Sequence, residues 1–310
     1  MHPLLVAIVG PTATGKSALG LALARRFGGE IVSCDSTAVY RGFDIGTEKP
    51  TVTVRNLVPH HLIDVAEPTE DYSAARYSRE ASAVVRAITG RGRLPILVGG
   101  TGLYYRALTR GLFLGPGRDV LLRQRLFNVA RKRGVAALHR MVGRIDPVSA
   151  QRIHYRDEKR LIRALEVYYL TGIPLTNHFT STLSPIKEYE VLSIALRLSA
   201  SDTATRVVRR VETQFNQGLL DEIRGLLSRG VPEKARPFGG LVYRQALDHL
   251  RGLYDEPTTR ELIVRENRRY ARRQLIWFRK EPNLTWIDLA GECPEALHAA
   301  DKLLTVQLRS

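Results

Sequence analysis

Eight residues near the start of the chain, Gly10-Pro11-Thr12-Ala13-Thr14-Gly15-Lys16-Ser17, constrain its fold more than any other feature. They fit the pattern GxxxxGK[ST], follow the apolar, β-prone run Leu4 to Val9, and open the helical pattern Ala18, Leu21, Ala22, Leu23. Strand, glycine-rich turn and helix in that order make a P-loop, in which backbone N–H groups converge on phosphate oxygens at a helix N-terminus. Lys16 supplies a point charge to the phosphates, and the Ser17 hydroxyl is a candidate Mg²⁺ ligand. A P-loop recognises phosphates and not what they are attached to. On this motif alone, nucleotide binding by a kinase or NTPase is the default reading.

The rest of the chain extends the same architecture. Short apolar runs at Leu4 to Val9, Glu30 to Ser33, His61 to Val65 and Leu94 to Val98 alternate with helical patterns, one after Gly15 and one from about Ser73 to Ala87. Alternation of this kind predicts an α/β fold, a P-loop NTPase-like parallel sheet flanked by helices. The next strand candidate, Glu190 to Leu198, comes only after Leu121 to Tyr169, which reads as helices without strands. Breaker-rich segments, Gly111 to Gly117 and Thr171 to Pro185, flank that stretch. The expected organisation is a catalytic core of residues 1–115 and 186–310 with a helical insertion domain at 116–185. Further helices are expected over Asp202 to Ser228, Gly240 to Leu250 and Thr258 to Arg279, and a last strand over Leu284 to Asp288.

Charge narrows the partners. Forty-seven Lys and Arg against thirty-one Asp and Glu leave a formal +16, the sign that attracts polyphosphates, nucleic acid or anionic lipid. No apolar stretch approaches bilayer length, and Leu4 to Val9 is too short and lacks the basic leader of a signal peptide, so no membrane role is expected. Cys34 and Cys293 have no ligand spacing that would suggest zinc or a disulfide framework, which fits a cytoplasmic protein. His60 and His61, a pair without further ligand spacing, read as structural or cleft-lining.

The second apolar strand ends in Cys34-Asp35-Ser36 and the fourth in Gly99-Gly100-Thr101-Gly102. In a doubly wound sheet the ligand crevice lies at the carboxyl ends of the strands, so Asp35 and Thr101 should face the same cleft as Lys16. Asp35 could equally serve as a helix cap or turn residue. The run from Asp35 to Pro50, DSTAVYRGFDIGTEKP, resembles the signature of bacterial tRNA dimethylallyltransferases, also called tRNA isopentenyltransferases. Pro59 to Asp64, Tyr72-Ser73, Val98 to Tyr104, Arg163 to Val167 and Arg273 to Arg279 are similar to that family's motifs in the same order, over nearly the whole chain.

The resemblance implies transfer of the dimethylallyl group of dimethylallyl diphosphate to N6 of the adenosine at tRNA position 37, 3′ of the anticodon, with release of diphosphate. It implies that the P-loop, Gly10 to Ser17, holds the donor's diphosphate with Mg²⁺ partly on Ser17. It makes Asp35 the base acting on the adenine amine and Thr101 the residue that positions amine or base. An exocyclic amine is a poor nucleophile, and a carboxylate that accepts its proton as the C–N bond forms lowers the barrier. Contacts to the tRNA anticodon stem-loop are implied at Asp35, Ser36, Thr37 and Ala38, at Thr101, at Arg123, at Lys159, Arg160, Leu161, Ile162 and Arg163, and at Val242, Tyr243, Arg244, Gln245 and Ala246. A monomer is expected.

Basic residues recur in groups, Arg123 to Arg133, Arg152 to Arg163, Arg206 to Arg210 and Arg265 to Lys280, which together favour a polyanion although most such helical charges are simply solvated. Tyr40, Tyr104, Tyr243 and Trp277 are candidates for stacking on bases or on the prenyl chain, or for core packing. Three positions depart from the family pattern: Ala38 where glutamine is common, Gln214 where a second arginine would follow Arg210, and Val242 where glycine usually precedes Tyr243. The competing readings are a small-molecule or nucleotide kinase, a non-catalytic RNA-binding protein with a nucleotide switch, and prenylation of free adenine nucleotide.

Overall fold

The structure, a computed structural model, describes residues 2–113, 115–180 and 182–309. Met1, Leu114, Ser181 and Ser310, which fall within the expected domain spans, lie outside the described residues. The chain divides into two compact units, Met1–Thr109 with Pro185–Ser310, and Arg110–Ser184.

The first unit runs β1 (Leu4–Val9), α1 (Lys16–Phe27), β2 (Gly29–Ser33), α2 (Val52–Leu57), β3 (His60–His61), α3 (Ala74–Gly90), β4 (Leu94–Gly99) and α4 (Gly102–Thr109). The second unit carries α5 (Val120–Arg133), α6 (Val135–Ile145), α7 (Pro147–Arg152), α8 (Glu158–Thr171) and α9 (Leu175–Thr180). The chain then returns to the first unit with β5 (Glu190–Leu196), α10 (Ala200–Asn216), α11 (Leu219–Ser228), α12 (Tyr243–Leu250), α13 (Glu256–Phe278), β6 (Leu284–Ile287) and α14 (Pro294–Arg309).

Among the described residues six strands form one sheet in the order β3-β2-β4-β1-β5-β6, every pairing parallel. Alternate side chains feed two cores. Val6 and Ile8 of β1 pack with Leu19 and Leu23 of α1 and with Ala296, Ala300 and Leu304 of α14 on one face. Leu5, Ala7 and Val9 pack with α3, α10 and α13 on the other. A strand covered on both faces is apolar throughout, which is why β1 reads as a continuous hydrophobic run rather than an alternation.

Two expectations are corrected and one element is added. Of the run His61 to Val65 only His61 lies in a strand, the two-residue β3 (His60–His61), because Leu62 and Asp64 adopt positive φ of 61° and 57° and break the extended backbone. The single helix expected over Asp202 to Ser228 is two, divided at Gly218 with φ 90°. The added element is the last helix, α14, which completes the core on the α1 face.

Within the second unit, Leu126, Leu138, Val142, Leu161, Ile162 and Leu165 make a separate core. The unit's two ends meet: a Cβ on Gly111, whose φ is +82°, would run into the Leu183 carbonyl.

Candidate active site

Sheet register assembles the site. Val9 pairs with Gly99 and Ser33 with Val98, so the P-loop after β1, the Asp35 turn after β2 and the Gly100-Thr101 turn after β4 emerge side by side at the carboxyl ends of the strands. Cys34 N donates to Val98 O at 2.8 Å and Thr101 N to Cys34 O at 3.1 Å, which ties the last two turns together. They border a cavity of about 570 Å³ lined by Lys16, Ser17, Asp35, Ala38, Tyr270 and Arg210 among others.

The P-loop needs glycine at both ends. Gly10 has φ +134° and faces the Leu196 carbonyl too closely for any side chain, and Gly15, at φ +83°, caps α1 with Gly291 of the C-terminal loop packed on it. Gly291 N donates to Thr14 O at 2.9 Å. Thr12 N donates to Gln274 Oε1 at 2.8 Å, and Gln274 Nε2 donates to Gly100 O at 2.8 Å, so one glutamine of α13 joins the P-loop to the β4 turn. Lys16 Nζ donates to Pro11 O at 2.5 Å. Burial first and then Arg210 lower its pKa, Asp35 and Glu48 oppose the shift, and the net value is about 8.

Asp35 combines both roles that its sequence context allows. Its Oδ1 accepts from Thr37 N at 2.8 Å, Thr37 Oγ1 at 2.6 Å and Ala38 N at 3.3 Å, the pattern of an Asx turn. That local turn fixes the carboxylate by one oxygen, and the residue faces the cavity. Thr101 Oγ1 accepts from Ser36 N at 3.0 Å and thereby braces the residue next to Asp35, while Thr101 itself does not line the cavity. Tyr270, which the motifs did not single out, borders the cavity with its hydroxyl beside Thr101 and Asp35; burial, then the Asp35 charge, push that phenol up to about 12.

Two arginines of α10 reach the P-loop. Arg206 donates from Nε to Ala13 O at 2.7 Å and pairs with Glu292, and Arg210 donates to Thr12 Oγ1 and pairs with Glu48. Glu48 and Gln274 lie inside segments that resemble the family's motifs and Glu292 lies in none, but the sequence alone sets none of the three against the P-loop or its arginines.

The expected RNA contacts divide. Lys159 and Arg160 are exposed on α8, Arg160 with a loose pair to Asp157 at 3.4 Å. Leu161 and Ile162 are buried in the core of the second unit, so their side chains pack rather than bind. Arg123 and Arg163 are both committed to Glu166, whose carboxylate is wholly buried: Arg123 Nε and Nη2 donate at 2.7 and 2.8 Å and Arg163 Nη1 at 2.7 Å. Burial by itself would raise the Glu166 carboxyl, but these arginines and the Asp119 N–H outweigh it and hold the pKa at about 2. Of Val242 to Ala246 only Arg244 is exposed. Tyr243 donates to Glu222 Oε1 at 2.7 Å and accepts from Gly46 N at 3.0 Å, and Val242 sits at φ 74°, ψ −61°, a strained γ-turn geometry for a β-branched residue. Gln214 is buried, with Nε2 donating to the Ile45 and Gly46 carbonyls at 3.3 Å. Tyr40 and Tyr104 pack inside, Tyr104 stacked on Tyr77 at 4.0 Å, and Trp277 lies half-buried under the Arg106 guanidinium.

Among the described residues no helix is long and apolar enough to cross a membrane, and no group of three or more His, Cys, Asp or Glu is arranged to hold a metal. Mg²⁺ usually keeps several waters and takes substrate phosphate oxygens rather than an all-protein cage, and Ser17 would supply one protein oxygen. The Ser17 side of the cavity fits that donor set.

A parallel sheet with a GxxxxGK[ST] loop after its first strand, an aspartate at a neighbouring strand end and two arginines on the loop have the arrangement of P-loop enzymes. The family model described as IPP transferase matches residues 38–281, and the chain belongs to that family. It is 43% identical over 288 residues, 93% of either chain, to a tRNA dimethylallyltransferase of Geobacter metallireducens, and 45% identical over 294 residues, 94% of either chain, to that of Koribacter versatilis. Among solved structures it is similar to the tRNA isopentenylpyrophosphate transferase of Bacillus halodurans, at TM-score 0.73 and 38% identity over 99% of this chain and 97% of that one. A eukaryotic dimethylallyltransferase acting on tRNA aligns at TM-score 0.77 and 26% identity, over 92% of this chain and 74% of that one.

Proposed function

We propose that this chain is a tRNA dimethylallyltransferase of the cytoplasm, which moves the dimethylallyl group of dimethylallyl diphosphate to N6 of the adenosine at tRNA position 37 and releases diphosphate. The observation that carries the reading is Asp35 and the P-loop bordering one cavity, a proton acceptor and a diphosphate cradle in the same space. The donor's diphosphate lies along the P-loop with Lys16 on its oxygens. Ser17 would hold Mg²⁺ in part, and the ion when bound would supply positive charge to the leaving diphosphate. As the bond from the allylic C1 to N6 forms and the C1–O bond breaks, Asp35 takes the N6 proton. Its Oδ1 is tied down by Thr37 and Ala38, so the Asx turn orients the carboxylate and Thr101 steadies the turn through Ser36.

The target adenine leaves its stack to reach this depth. Lys159, Arg160 and Arg244 contact the RNA backbone, while Arg123 and Arg163 act indirectly by holding α8. A kinase reading shares the P-loop but leaves unexplained the likeness of the Asp35 turn to tRNA dimethylallyltransferases over most of the chain.

The test is Asp35→Ala assayed with labelled dimethylallyl diphosphate, Mg²⁺ and tRNA. Loss of a general base should lower the transfer rate about 10² to 10⁴-fold and leave tRNA affinity within a few-fold. Wild-type turnover by that variant would sink the assignment, and phosphoryl transfer from ATP by the unaltered protein would favour a kinase.

A further inference from the structure

The two arginines that reach the P-loop are each met by a carboxylate from a different segment. Glu48 comes from the turn after Asp44 and pairs with Arg210; Glu292 comes from the loop before α14 and pairs with Arg206. All four residues border the cavity. Nothing in the proposed chemistry uses an acid at either place, and an anionic substrate should be repelled by both.

Their placement is nonetheless over-determined. Glu48 has φ 54°, a left-handed conformation that costs a non-glycine residue free energy and persists only where the surroundings impose it. The surroundings do so from several sides. Glu222 Oε2 accepts from Asp44 N at 2.9 Å and Ile45 N at 2.8 Å, Tyr243 receives the Gly46 N–H, and Gln214 binds the Ile45 and Gly46 carbonyls. Lys49, its side chain buried, donates to Tyr40 O at 2.5 Å, Asp44 Oδ1 at 2.7 Å and Asp64 Oδ1 at 2.6 Å. Glu292 is placed by its neighbour, since Gly291 N donates to Thr14 O at 2.9 Å, and its carboxylate lies against Gly15. Both acids stay nearly half-exposed, at 46% and 44% of their side chains, so they face solvent space and not a closed core.

We infer that Glu48 and Glu292 are built-in counter-ions of the donor site, positioning residues that partly neutralise Arg210 and Arg206 and so limit how tightly the P-loop holds diphosphate. This rests on the reading that the P-loop cradles the donor's diphosphate. A fully cationic cavity would bind the donor strongly, but the product diphosphate carries the same recognition group and more free charge. Affinity spent equally on ground state and product does not speed the chemical step, and slow release can limit turnover. An acid on each arginine weakens ground-state and product binding while leaving the arginine in place to meet charge that accumulates on the leaving group.

The experiment measures inhibition by inorganic diphosphate and steady-state kinetics of tRNA prenylation for Glu48→Gln, Glu292→Gln, Glu48→Asp and Lys16→Ala, with thermal melts as a folding check. Glutamine keeps an oxygen for the arginine and removes only the charge. For acids this exposed, screened nearly as in bulk water, one unit charge a few ångström from a phosphate oxygen is worth about five- to tenfold in affinity. The inhibition constant for diphosphate should therefore fall about five- to tenfold in each glutamine variant, with KM for the donor and kcat falling together, while Glu48→Asp stays near wild type. An unchanged or raised inhibition constant in both glutamine variants, alongside the expected rise in Lys16→Ala, would overturn the inference and spare the donor-site reading. No effect of Lys16→Ala on inhibition would overturn the donor-site reading and this inference with it.

Discussion

Lys16 is pulled in two directions, with burial and Arg210 disfavouring its charge and Asp35 and Glu48 restoring part of it, and the balance leaves its pKa at about 8. Only the ammonium form attracts phosphate, so above that pH the free protein must take up a proton in order to bind a diphosphate. Calorimetry of inorganic diphosphate binding at about pH 8.5, in buffers of different ionisation enthalpy, should show proton uptake that is smaller in Lys16→Arg, whose guanidinium does not titrate there. Equal uptake by the two proteins would mean that the proton goes elsewhere. At this scale the sequence was legible where function is written in consecutive residues. Lys16, Ser17 and Asp35 follow from a motif and from strand ends. Gln274, Tyr270 and Glu48 do not, because their roles depend on which distant segment the fold sets against the P-loop.

Helix α8 shows how an element can carry a motif for structural reasons. Its residues Arg163 and Glu166 belong to a segment that resembles the family's, and a basic group beside it suggests RNA, yet Glu166 gathers Arg123, Arg163 and the Asp119 N–H into one buried cluster that fastens the start of α5 to α8. Removing one partner of a buried pair strands the other charge, so Arg123→Ala should cost up to about 3 kcal/mol, with Arg163 and the Asp119 amide still in place to soften the loss. The sign with pH follows from the depressed carboxyl. Its contribution is complete above the unfolded value of about 4.3 and disappears as pH falls toward 2, so the stability gap between wild type and Arg123→Ala should narrow over that interval in urea unfolding. A small, pH-independent gap would return Arg123 to the list of free phosphate ligands. Helix existence was readable from periodicity in this unit and in α13. The break at Gly218 and the shortness of β3 were not, since both turn on positive φ at residues whose neighbours are good formers of the element they interrupt.

For the whole molecule, all six strands and every residue bordering the cavity lie in the first unit, and the second has a core of its own. A chain in which residues 112–182 are replaced by a short Gly/Ser linker should therefore fold and bind inorganic diphosphate within a few-fold of wild type, while losing most of its affinity for tRNA. Melts, calorimetry and tRNA binding check the three parts; an unfolded product, or loss of diphosphate binding, would show that the core depends on its insertion. The meeting of Gly111 with the Leu183 carbonyl explains why this operation is available. The entropy of closing a loop rises only with the logarithm of its length, and here the ends are joined within the insertion itself. To the sheet, everything between β4's helix and β5 behaves as a short hairpin bend, so the insertion can gain or lose turns over generations without shifting the register of a single strand.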